Sequence, residues 1–172
     1  RYLGFLWHSL TLSGLSALLI CVISILMIYS VRRHPDMVSR MAVRIATIGY
    51  ALPGVVLAVG IYIPLAWVDN WFSQMAMQLF SIEMGFLFQG TFVVMLIAYM
   101  TRFMAVGYNP IDSAMQRVTF SIDEASMGLG VSGWGMLQKV HLPILKGGIF
   151  TAATLVFVDV MKEMPITLMT RP

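Results

Sequence analysis

Three groups of residues in this largely apolar chain have types and spacing that could do chemistry. The first is Glu124-Ala125-Ser126, followed after three residues by Gly130 and after nine more by Val140-His141-Leu142-Pro143. Within it, Ser121-Ile122-Asp123-Glu124 fits a capping box, in which a serine and a glutamate close a helix start. The second is a glycine-rich turn. Gly128, Gly130 and Gly133 have the spacing of a dinucleotide fingerprint. No buried strand precedes them and no βαβ pattern surrounds them, so nucleotide chemistry is set aside. Ser132 could act as a nucleophile only beside a base, and His141 in a polar stretch is a poor one. The third group is Asp159, Lys162 and Glu163, at the end of an apolar run. His8, His34 and His141 share no ligand spacing, so no metal site is expected. The 15 methionines read as gap-fillers in apolar packing.

The elements that carry these groups follow from composition. The 172 residues are 59% hydrophobic and only 11% charged, against about a quarter charged in soluble domains. A formal charge of +3 without a dense basic cluster gives no footprint for nucleic acid. A bilayer core about 30 Å thick needs about 20 apolar residues to cross it as a helix. Four runs meet that need, at about residues 9–31, 45–68, 84–102 and 147–166. Ser9, Ser13, Ala17 and Cys21 recur every four residues in the first and form a stripe suited to close helix packing. Arg32, Arg33, Arg40 and Arg44 follow the first run, and Arg102, Arg117, Lys139 and Lys146 follow the third. The loop after the second has Asp69 and Glu83 and no Lys or Arg. The positive-inside rule therefore puts the first and third loops in the cytoplasm, with Trp67 and Trp71 at the outer interface. Residue 1 is Arg and the last two are Arg171-Pro172, so further sequence is expected at both ends.

The loop over residues 107–146 is expected to be structured. Asn109-Pro110 has the form of a helix start, with Asn as the cap and Pro in the first turn. A helix over 110–127, a glycine turn and a short helix over 134–140, ended by Pro143, would follow.

This loop resembles the EAA loop of ABC importer permeases. The family pattern is Glu-Ala-Ala, three residues, Gly, nine residues, Ile, any residue, Leu-Pro. Every spacing matches, and Ser126 and Val140 are the two departures. The resemblance implies an all-α membrane protein with about four transmembrane helices of a type I importer permease. A cytoplasmic helix-turn-helix coupling loop would lie between spans three and four. Glu124, Ala125, Ser126, Gly130, Leu142 and Pro143 would couple it to a cytosolic ABC ATPase, with the acidic residue anchoring the element. The permease itself would carry no catalytic site and bind no cofactor; ATP and Mg would be used by the ATPase partner. An extracytoplasmic binding protein, a second permease copy or half, and membrane lipid are the other implied partners, in a bacterial inner membrane. Lys162-Glu163-Met164-Pro165-Ile166-Thr167, Arg171-Pro172 and Tyr50-Ala51-Leu52-Pro53-Gly54 look like segments of ferric-iron importer permeases. Relatives that import thiamine, polyamines or phosphonates share parts of these. Asp159, Lys162 and Glu163 are either a pathway or gate, or an outer-leaflet structural pair in which Asp159 meets Lys162. A charge at the bilayer centre costs about 2.5–3.5 kcal/mol, which keeps the first reading open.

Overall fold

Lipid offers the backbone no hydrogen-bond partner, so an apolar run must satisfy its own N–H and C=O groups as helix. A computed structural model of the chain describes residues 2–80 and 91–163. Its helices are α1 (Tyr2–Arg33), α2 (Met37–Thr47), α3 (Gly54–Phe80), α4 (Phe92–Met115), α5 (Phe120–Gly128), α6 (Trp134–Met136) and α7 (Leu142–Lys162). A 3-10 turn, Ile48–Ala51, separates α2 from α3, and a π-helical turn, Leu137–His141, joins α6 to α7. Four helical stretches are long and apolar enough to cross a membrane: Trp7–Arg33, Gly54–Met75, Phe92–Met115 and Trp134–Lys162. The described residues contain no strand. This is a multi-pass, all-α membrane protein.

The centre of the bundle is α1, α4 and α7, with α3 joining at one level. Ala17 and Ile20 of α1 meet Leu57 and Ala58 of α3, Met95 to Met104 of α4, and Val156 and Val160 of α7. A second cluster joins Cys21, Ile28, Ile111, Met115, Leu145 and Ala152. The small-residue stripe of α1 does face this core: Ser13, Ala17 and Cys21 are buried, whereas Ser9 is exposed. Gly107 of α4 lies where a side chain would strike Ile20 of α1, so the two helices cross close together.

Several expected boundaries differ. The third span runs on to Met115, which places Arg102 inside α4 and not in the loop after it, and the fourth begins at Trp134. The second run, 45–68, is not one helix. Residues 45–47 finish α2, the 3-10 turn follows, and α3 starts at Gly54 because Pro53 pushes Leu52 out of the helical region. Asn109-Pro110 starts no helix. Pro110 lies inside α4, and the Asn109 carbonyl accepts from the Ser113 hydroxyl at 2.9 Å as part of the helix. Proline removes one backbone hydrogen bond there, but α4 continues through it to Met115 where α7 packs against that turn. A methyl group at Gly148 of α7 would lie 2.7 Å from Ala114 Cβ and 2.8 Å from the Pro110 carbonyl oxygen. Pro143 likewise ends nothing. Its ring would press on the carbonyl of Lys139, four residues back. The π turn Leu137–His141 widens the helix at that point, and the chain runs on as α7. Residues 84–90, 164–167, 171 and 172, which enter the expected third and fourth spans and the segments likened to iron permeases, lie outside the described residues.

Gly147 and Gly148 separate packing from propensity. A Cβ at Gly147 meets nothing within 4 Å. Gly148→Val should lower the unfolding midpoint in detergent by the equivalent of about 1–3 kcal/mol of overpacking. Gly147→Ala should leave it unchanged or raise it, since alanine is the better helix former.

Candidate coupling site

Helix α5 buries none of its residues, so apolar packing does not fix it. Its hold on the body is polar. Asp123 Oδ2 accepts from Arg32 Nε at 2.8 Å, and Asp123 Oδ1 lies 2.9 Å from His141 Nε2. One carboxylate thus bridges the end of α1 and the π turn before α7. Arg32 completes the joint by donating through Nη2 to the carbonyls of Val118, at 2.8 Å, and Thr119, at 3.3 Å. Its guanidinium also stacks over the Phe120 ring, 4.9 Å from the centroid. Tyr29 adds a second tie, its hydroxyl donating to the Gly133 carbonyl at 2.7 Å. His141 is buried, with its ring edge toward Tyr29. Burial pushes the Asp123 carboxyl up, but hydrogen bonds from Arg32 and His141, and the charge of Arg32, outweigh it and hold the group below the ordinary aspartate value.

The start of α5 is not the expected capping box. Thr119 is the capping residue, without a side-chain hydrogen bond, and Ser121 lies within the first turn. The end of α5 is well defined. Gly130 N donates to the Met127 carbonyl at 2.9 Å, and Val131 N to the Ser126 carbonyl at 2.9 Å. This pairing is a Schellman motif with Gly130 in the left-handed region at φ 78°. The conformation explains why the motif needs glycine there: a Cβ would be strained even though the space around Gly130 is open. Gly133, at φ 57°, sets the entry to α6 in the same way. Gly128 has neither a positive φ nor a close neighbour.

The predicted residues divide between inner and outer faces. Glu124 and Ala125 are exposed, and the Ser126 hydroxyl donates to the Ile122 carbonyl at 2.7 Å. The acidic residue that anchors α5 internally is therefore Asp123; Glu124 is left facing outward. Around Glu124 the surface is apolar: Phe120, Met127 and Trp134 are exposed, and Leu129 at the tip is 85% exposed. Leu142 and Pro143 lie at the head of α7 and are exposed. The apolar surface around Glu124 borders a cleft of about 370 Å³, lined by Phe120, Glu124, Met127, Tyr29, Ser132 and the Asp123–His141 pair among others. Ser132 is exposed while His141 is turned to Asp123. At the far end of α7, Asp159 and Lys162 make no ion pair with each other, and Glu163 instead meets Arg102. Sequence reasoning missed Arg32, Asp123, His141 and Arg102 as contact-making residues. The signal for Arg102 was present, as a charge directly after an apolar run. His8 stacks on Phe92, and His34 is exposed after α1.

No family model matches the chain. It is similar to the Fe(3+)-transport system permease protein FbpB 2 of Haemophilus influenzae, with 23% identity over 170 residues. The match covers 98% of this chain and 30% of that protein, so the chain spans about a third of the length of the relative. The likeness to an iron-transport permease therefore runs along nearly the whole chain and is not confined to the α5–α7 loop.

A lowered aspartate pKa gives a sign to the pH dependence. The docking contribution of Asp123 is complete above the ordinary value of about 3.9 and is lost as pH falls through the lowered one. A spin label at exposed Ser121 should stay immobilised from neutral pH to about 5 and loosen only below about 4. Asp123→Ala should release it at every pH, at a cost of about 1–3 kcal/mol for the stranded partners.

Proposed function

We propose that this chain carries the coupling portion of the permease of an ATP-driven ABC importer, in a bacterial inner membrane, with ferric iron as cargo. The observation that carries the reading is the form of α5 and its turn. The helix has no buried residue, is pinned from behind by Asp123, and presents Glu124 among exposed apolar side chains. A single chain has little reason to display Phe120, Met127, Leu129 and Trp134 on one loop, and an apolar surface of this kind marks a protein contact. Its partner is a cytosolic ATPase, which supplies the ATP and Mg chemistry. The matched spacing of the EAA loop and the iron-permease relative support both the partner and the cargo.

In this mechanism Glu124 makes polar contacts with the ATPase, while Ala125 and Ser126 keep that face of α5 small. Gly130 turns the chain back sharply, so that α5 and α6 enter one groove together. Leu142 and Pro143 stiffen the root of α7 beside the π turn. Closure of the ATPases on ATP pushes α5. The push reaches α1 through Arg32 and α7 through His141, and the bundle rocks between two packed states. An extracytoplasmic binding protein delivers iron, and a second permease copy or half completes the pathway. The chain performs no covalent chemistry.

Glu124→Arg and Gly130→Val should leave membrane insertion intact and abolish iron uptake, measured in cells at matched expression. Normal uptake by either variant with the ATPase still bound would overturn the assignment of α5 as the coupling element.

A further inference from the structure

A second ion pair lies where three elements meet. Arg102, within α4, donates through Nε to Glu163 Oε2 at 3.2 Å. Its Nη1 donates to the Leu52 carbonyl at 2.6 Å. Leu52 belongs to the non-helical step between the 3-10 turn and α3, and Glu163 directly follows α7. One guanidinium thus ties α4 to two places where helices stop. Both charged side chains are largely buried, at 19% and 10% exposure. The surrounding backbone is closely fitted. A side chain at Gly49 would strike the Thr101 carbonyl of α4, and one at Gly54 would strike the Glu163 carboxylate. Gly49 is therefore a condition of this junction, beyond any role as a helix breaker, whereas a side chain at Gly54 would have to displace the Glu163 carboxylate.

Charges inside an apolar bundle are costly and mark working parts by default. This pair also sits at the end of a lever. The helical stretch Trp134–Lys162 is continuous and about 43 Å long at 1.5 Å per residue. At its foot His141 is held by Asp123 of α5. At its head Glu163 is held by Arg102. A displacement of α5 therefore reaches the Arg102–Glu163 contact through one helix. A small shift there has a discrete consequence, because the contact is either made or broken.

We propose that Arg102 and Glu163 form the releasable latch of the permease. Closed, the latch fastens the end of α7 and the Leu52–Gly54 step to α4. Opened by movement of α7, it frees the end of α7 from α4 and withdraws the Glu163 carboxylate from Gly54 at the start of α3, and access changes. Arg102 is a positioning residue, acting through the Leu52 carbonyl and the Glu163 carboxylate; neither residue needs to touch cargo. The proposal rests on the importer reading given above.

The test uses the complete permease with its ATPase and binding protein in proteoliposomes. Uptake and ATP hydrolysis are measured with and without ferric iron for wild type, Glu163→Gln, Arg102→Gln and Glu163→Asp. The latch predicts that the two charge-removing variants hydrolyse ATP about tenfold faster without cargo and lose uptake by a similar factor. Their unfolding midpoints should stay within a few degrees of wild type, and Glu163→Asp, which keeps the charge, should keep hydrolysis dependent on cargo. Hydrolysis that remains cargo-dependent in both charge-removing variants would overturn the latch. So would a fall in the midpoint with no rise in cargo-free hydrolysis, which is the mark of a purely structural pair. Wild-type uptake without ATP would instead overturn the importer reading itself.

Discussion

The attachment of α5 depends on one carboxylate. A surface helix is ordinarily held by an apolar face pressed on a core, and α5 has no buried residue with which to do this. Asp123 replaces that face with two charge-assisted contacts, to Arg32 and to His141. Each partner is itself fixed. Arg32 is bonded to the Val118 and Thr119 carbonyls, and His141 is buried within the π turn. The consequence is a helix that is well placed yet keeps its whole outer surface free. Exposed Glu124 and Leu129 are available because Asp123, one residue before Glu124, carries the anchoring.

The same arrangement sets the direction in which force can travel. Movement of α5 cannot be absorbed by sliding of an apolar interface, since there is none. It passes through Arg32 and the Tyr29–Gly133 hydrogen bond into α1, and through His141 into the helix that continues as α7. The π turn at Leu137–His141 lies at the foot of that helix, beside Pro143. Single π turns often mark functional joints, and here the joint lies between the exposed loop and the bundle core. α1, α4 and α7 cross closely through Gly107 and Gly148. A core so tightly fitted responds by moving between discrete arrangements and not by gradual deformation.

What the sequence revealed and what it hid divide along physical lines. The long apolar runs and the basic loops were legible, because lipid imposes them residue by residue. The need for glycine at 130 was legible as a spacing, and the structure supplies its reason in the Schellman turn. The helix boundaries at Pro110 and Pro143 were misread. Proline is a local signal to stop, whereas Gly148 packed on the Pro110 turn and the π widening before Pro143 are answers that come from tertiary structure and helix geometry. Asp123 was hidden behind its neighbour Glu124, because a motif names the residue that faces a partner and not the one that faces inward. The pairs Arg32–Asp123 and Arg102–Glu163 join residues far apart in the chain. No periodicity records such contacts; only the crossing of α1, α4 and α7 brings them together.

In the proposed importer, the outer surface of α5 and its turn is engaged by a nucleotide-hydrolysing partner. A photo-crosslinking residue at Leu129, the most exposed tip of that surface, tests it directly in intact membranes. Such engagement gives a single major adduct with a Walker-motif ATPase, changed in yield when ATP is trapped. Leu129 adducts with lipid alone, in membranes where the permease is assembled and imports iron, would contradict it.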